Sequence, residues 1–151
     1  MKTNQTLRIS MLLILLTTGS LFNRIAAQEV PRPEYPRPQF ERAEWLNMNG
    51  QWSYTFDFGK SGLEKNFPDS QGFKDKIIVP FCPESKLSGV GYTDFIEAMW
   101  YQRKFEVPAA WNGKRVILHF GAVDYQSDLY LDGKLVGSHW GGTSSFSYDI
   151  S

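Results

Sequence analysis

Cysteine is almost absent. Cys82 stands alone among 151 residues, so no internal disulfide can form and the fold must be held by packing. Histidine is nearly as scarce: His119 and His139 are the only two. No His, Cys, Asp and Glu cluster has metal-ligand spacing, so neither a metal nor a cofactor is expected. The apolar stretch Ile9 to Leu16 falls well short of the ~20 residues a transmembrane helix needs. No segment carries a convincing amphipathic-helix pattern. Positive charge is not in excess either, with 16 Lys and Arg against 16 Asp and Glu, which argues against a nucleic-acid partner. What is plentiful is aromatic. Eleven Phe, seven Tyr and five Trp make up 15% of the chain, a composition suited to pleated, half-buried surfaces.

Residues 1–27 read as a secretory signal. Lys2 and Arg8 form a basic start, Ile9 to Leu16 is the apolar run, and Ala26-Ala27 before Gln28 offers a cleavage site. Thr18-Gly19-Ser20 is a second candidate site, and an uncleaved membrane anchor is the alternative reading. No cysteine follows the apolar run, so a lipoprotein anchor is unsupported. Cleavage removes Lys2, Arg8 and Arg24 and leaves the chain acidic. An exported protein, periplasmic or secreted and free of the membrane after cleavage, is therefore expected.

Residues 28–40 form a Pro-rich leader. Pro31, Pro33, Pro36 and Pro38 remove backbone donors and favour an extended arm, either lying along the domain or disordered ahead of it. Glu41 to Leu46 is expected to make a short helical turn. From Gln51 onward the period is two. Trp52, Tyr54, Phe56 and Phe58 alternate with Ser53, Thr55 and Asp57. Further strands are expected at Lys74–Phe81, Trp100–Val107, Arg115–Phe120 and Phe146–Ile150. Leu129–Leu131 and Lys134–Val136 flank Asp132-Gly133, the turn pair that accepts the positive φ angles of a type I′ hairpin. About seven strands with short connections, spread over residues 41–151, predict an all-β fold. The expected architecture is an antiparallel β-sandwich of jelly-roll, galactose-binding-domain-like type. The chain stops on an alternating strand, so a sandwich truncated at its C-terminal edge is expected; a true edge strand is the alternative.

Four stretches, in order, resemble the N-terminal sugar-binding domain of family 2 glycoside hydrolases, the group of β-galactosidases, β-glucuronidases and β-mannosidases. Asn49-Gly50-Gln51-Trp52 is similar to the end of the family's "W-x-x-L-N-G-x-W", with Met48 inserted after Asn47. Ile78 to Ser85 is a second stretch, and Trp100-Tyr101-Gln102-Arg103-Lys104-Phe105 matches "W-Y-x-R-x-F". Leu118 to Gly142 is the most specific, with Asp132-Gly133 in place of the usual Asn-Gly. The resemblance implies a retaining glycosidase whose two glutamates, about 5 Å apart, sit on a separate catalytic barrel. None of these 151 residues matches those motifs, and the chain stops short of the family's "W-R-x-x-G-I-x-R" segment. No catalytic residue is therefore assigned. The expectation is a sugar-binding and structural domain of an exported, β-galactosidase-like enzyme, inactive by itself, whose partners are a β-glycoside and the missing barrel. A freestanding, non-catalytic carbohydrate-binding module is the alternative.

Four residues are candidate carbohydrate contacts. Trp140 can stack on a sugar face and His139 can bond its hydroxyls, with Gly141 and Gly142 letting the backbone approach. The competing reading is a tight turn whose Trp packs on a neighbouring domain. Asp94 and Glu97 lie in the loop Ser88 to Met99, long enough to reach a ligand or to be ordinary surface. Glu84 and Glu97 are read as solvated carboxylates and not as a catalytic pair. Asp124 is read as a turn-forming side chain, Cys82 as inert, and Trp45, Trp52, Trp100 and Trp111 as packed aromatics.

Overall fold

The computed structural model describes residues 29–151, so residues 1–27, read above as a secretory signal, lie outside the described residues. Seven strands appear there: β1 (Gly50–Phe56), β2 (Asp75–Val79), β3 (Met99–Gln102), β4 (Ile117–Phe120), β5 (Gln126–Leu131), β6 (Lys134–Trp140) and β7 (Phe146–Asp149). All pairings are antiparallel: β2–β1–β3 is a three-stranded sheet, and β4–β7 and β5–β6 are two-stranded ribbons. The only helical pieces among the described residues are single 3₁₀ turns. This is the all-β antiparallel class expected.

The central sheet has both faces covered. On one face Tyr54 meets Phe56 edge-on at 5.3 Å, Phe56 lies 4.7 Å from Tyr92, and Ile77, opposite Trp52, is 0% exposed. The other face carries Ser53, Thr55 and Asp57, polar residues that a single-sided sheet would turn to water. Ser53 and Asp57 are instead buried, because the connection from β1 to β2 folds back over them. Phe67 and Phe73 from that connection pack edge-on at 5.4 Å, and Phe67 meets Trp100 of β3 at 5.7 Å.

The β5–β6 hairpin turns at Asp132 and Gly133, with φ of 47° and 77°. A Cβ on Gly133 would collide with the Asp69 carboxylate, so the turn needs its glycine twice over. Leu131 pairs with Lys134 as a two-residue turn requires, but a bulge follows. Leu129 pairs with Gly137 and Tyr130 with Leu135, leaving Val136 as the extra residue. Tyr130 reaches Trp100 at 5.7 Å and joins the hairpin to the sheet.

Two expectations need correction. The strand expected over Trp100–Val107 ends at Gln102. There Gly50, at φ 115°, turns the start of β1 aside, and the Arg103 guanidinium bonds the carbonyls of Met48 and Asn49. The helical turn expected at Glu41–Leu46 lies instead at Pro38–Phe40, where a proline at the first position loses no needed donor. The leader is no loose tail within the described residues: Asn49 Nδ2 bonds the carbonyls of Pro31 and Arg32, Tyr35 packs edge-on against Trp45 at 4.9 Å, and Arg37 bonds Ser145.

Candidate functional site

His139 and Trp140 end β6, and alternation sends their side chains to opposite faces. Trp140 is 58% exposed. His139 turns inward, stacked on Phe146 of β7 at 4.0 Å, which in turn stacks on Phe120 of β4 at 4.9 Å. Its Nε2 lies 3.2 Å from both the Gly141 carbonyl and the Ser144 hydroxyl. The imidazole is therefore engaged in shaping the turn that follows it. The Gly141 amide donates to the Tyr125 carbonyl at 2.8 Å, and the absent Cβ of Gly142 leaves room for the Asp124 carboxyl. Asp124 thus supports the turn by packing against it. Tyr125 is 67% exposed, so one end of the hairpin presents an indole and a phenol to solvent around a glycine turn.

Sequence reasoning missed Tyr125, Ser127, Ser144 and Phe146. Ser127 faces His139 across the ladder, and its hydroxyl is buried without a hydrogen-bond partner among the described residues. Counting back from the Asp132-Gly133 turn would set Ser127 opposite Ser138. The bulge at Val136 moves its partner to His139, and no signal in the sequence marks that bulge.

Asp94 and Glu97 are not brought to this end of the hairpin by any hydrogen bond or ion pair among the described residues. Asp94 is exposed, and Glu97 pairs with Lys60 at 3.2 Å. Glu97 is held by Lys60, while the charge of Glu84 falls on Tyr101. Burial first, then the charges of Glu84 and Cys82, pushes the Tyr101 hydroxyl up to about 12. Tyr101 is 40% exposed overall, which means the crowding falls on its hydroxyl end. Cys82 is exposed and free.

One carboxylate is deeply buried, and it is structural. Asp57 is 4% exposed and accepts from Ser61 N at 2.9 Å, Ser61 Oγ at 3.3 Å, Gly62 N at 2.7 Å and Trp100 Nε1 at 3.0 Å. Burial alone would raise its pKa. The hydrogen bonds, led by that of Trp100, outweigh burial and hold the carboxyl below its ordinary range. Gly62 lies so close to the indole that a Cβ there would collide with it. Both oxygens of the Asp57 carboxylate are thus engaged.

Residues 45–151 match the family model for "Glycosyl hydrolases family 2, sugar binding domain". The chain belongs to this family. A β-glucuronidase from Streptococcus agalactiae is 28% identical over 100 residues, covering 66% of this chain and 16% of its own length. A β-galactosidase from Thermoanaerobacter pseudethanolicus is 29% identical over 123 residues, covering 70% of this chain and 14% of its own. Among solved structures, a β-glucuronidase from an uncultured Clostridium species superposes with a TM-score of 0.59 at 27% identity, over 74% of this chain and 21% of that one. The chain thus spans only 14–18% of the curated relatives it matches. Within family 2 it corresponds to the sugar-binding domain of glycosidases such as these.

Proposed function

We propose that these residues serve an exported family 2 β-glycosidase, β-galactosidase-like in hydrolysing O-glycosyl bonds, whose catalytic carboxylates lie outside this chain. The domain supports the catalytic barrel and shapes the entrance to the sugar site. The observation that carries this reading is the exposed Trp140 on a turn braced by His139, Asp124 and Tyr125. An indole face fixed by a rigid glycine turn suits the apolar face of a pyranose. Asp94 and Glu97, on their separate loop, are a second point of approach for the sugar.

An immunoblot of source cells with antibody raised against residues 31–151 tests the assignment. A band several times larger than 17.3 kDa is expected, in the exported fraction. A band at or just below 17.3 kDa would favour a freestanding carbohydrate-binding module. The full chain is expected to show no turnover of aryl β-glycosides, and turnover would overturn the assignment of the chemistry elsewhere.

A further inference from the structure

An asparagine followed by glycine can lose ammonia through its own backbone, because no Cβ shields the glycine nitrogen from the asparagine carboxamide. The chain contains two such steps, Asn49-Gly50 and Asn112-Gly113, and the fold treats them oppositely. At the first, Asn49 is half-buried and Gly50 is buried at the start of β1, opposite Val79. Asn49 Nδ2 donates to the carbonyls of Pro31 and Arg32, and the Asn49 backbone carbonyl accepts from Arg103 at 2.9 Å. Carboxamide and backbone are thus tied to three other segments of the chain.

At the second step the reacting groups are unbonded. Trp111 to Lys114 make a type II turn: Lys114 N donates to the Trp111 carbonyl at 2.9 Å, Asn112 has φ −56° and ψ 128°, and Gly113 has φ 77°. Asn112 and Gly113 are both exposed. Among the described residues the Asn112 carboxamide has no hydrogen-bond partner, and neither have the Asn112 carbonyl and Gly113 amide that form the central peptide of the turn. That peptide plane can rotate without breaking a bond, and glycine accepts either sign of φ, so the turn can pass from type II to type I. One sense of the rotation carries Gly113 N towards Asn112 Cγ, the approach the reaction needs. Beyond its chain neighbours, no atom lies within 4 Å of the place a Gly113 Cβ would take, so a ring has room to close. Asn47 and Asn66 lack this freedom. Met48 and Phe67 follow them, and the Phe67 amide is held by the Gly62 carbonyl at 2.8 Å.

We propose that Asn112, and not Asn49, is a site of spontaneous, water-driven deamidation in the folded chain. The Gly113 amide gives up its proton and its nitrogen attacks Asn112 Cγ. The carboxamide nitrogen leaves as ammonia, taking up that proton, and a succinimide joins the two residues. Water then opens the ring at either carbonyl, leaving aspartate or isoaspartate and one added negative charge. The new carboxylate stands two residues from Lys114, whose ammonium already pairs with Glu44 at 2.6 Å, and offers that lysine a second acid.

The test follows the full chain in mildly alkaline buffer, folded or unfolded in urea, by trypsin digestion and mass spectrometry. Cleavage at Lys104 and Lys114 releases residues 105–114, in which Asn112 is the sole amide side chain. In the folded chain this peptide is expected to gain about one dalton, in two chromatographic forms, at a rate within about threefold of that in urea. The peptide holding Asn49 is expected to convert at least about tenfold more slowly folded than unfolded. Asn112→Gln, which would have to close a larger ring, should abolish the gain in residues 105–114. An Asn112 peptide that stays intact in the folded chain while converting in urea would overturn the proposal. So would a single aspartate product, an undiminished gain in Asn112→Gln, or an Asn49 peptide converting as fast folded as unfolded.

Discussion

The three-stranded sheet and the two ribbons use the same aromatic vocabulary and end with different interiors. Around the sheet, Ile77 is 0% exposed, Asp57 4% and Tyr54 8%. In β4 to β7 no residue is buried, although Phe120, Phe146, Tyr148 and His139 pack ring against ring. The sheet has a chain segment over each face, while the ribbons rely on rings stacked across one ladder to the next. Stacking contributes about 1 kcal/mol per pair, and enclosure contributes more. Closure by a covering loop, more than aromatic content, separates the enclosed part of this domain from the part that presents the turn.

That contrast can be broken most sharply at Asp57. Asp57→Ala leaves the Ser61 and Gly62 amides and the Trp100 indole without their acceptor and should cost about 4 kcal/mol, read from urea unfolding. A ribbon carboxylate gives the control: Asp128→Ala removes an exposed bond to Ser138 and should cost about 0.5 kcal/mol. Ile77→Ala should cost about 3 kcal/mol and Phe120→Ala about half that, because its half-exposed site can refill with water. Equal losses at the two positions would erase the distinction.

Acid sharpens the comparison further. The Asp57 carboxyl is held below its ordinary range in the folded chain, so the unfolded chain takes up protons first as pH falls. Its stabilisation is complete above about pH 4, and is lost as pH falls through the folded value. Asp149 on β7 is lowered to about 2 by bonds from Ser151 and Arg115, but it is solvent-screened and should contribute little. Indole fluorescence during acid titration should therefore report loosening around Trp100 before the β4–β7 ladder opens, with a two-dimensional amide spectrum assigning the order. The smallest effect on stability belongs to Trp140→Ala, expected within about 0.5 kcal/mol of the parent, while neutral-sugar affinity falls about tenfold.

Periodicity made the strands legible. All seven were readable from alternation and turn residues, and the Asp132-Gly133 hairpin has the geometry its turn pair requires. The misses at Asp57 and β3 share a cause: each depends on a partner distant in the chain. Asp57 looked like an outward polar residue, because Trp100, which helps to enclose it, lies 43 positions away. The early end of β3 comes from Arg103 choosing carbonyls 54 and 55 positions back. At the candidate site, His139 and Trp140 were legible as residue types. Their division of labour was not, since the inward turn of the imidazole depends on rings from β7 and β4 and on a bulge without a sequence marker.

The bond between Arg37 and Ser145, at 2.9 Å, joins residues 108 positions apart. Arg37 leaves the ribosome before any strand exists, whereas Ser145 arrives after the sixth. This contact closes a loop around nearly the whole domain, the kind of long-range closure that costs most chain entropy. A probe on the leader that senses Ser145 would therefore act as a clock for folding, silent until the last turn has docked.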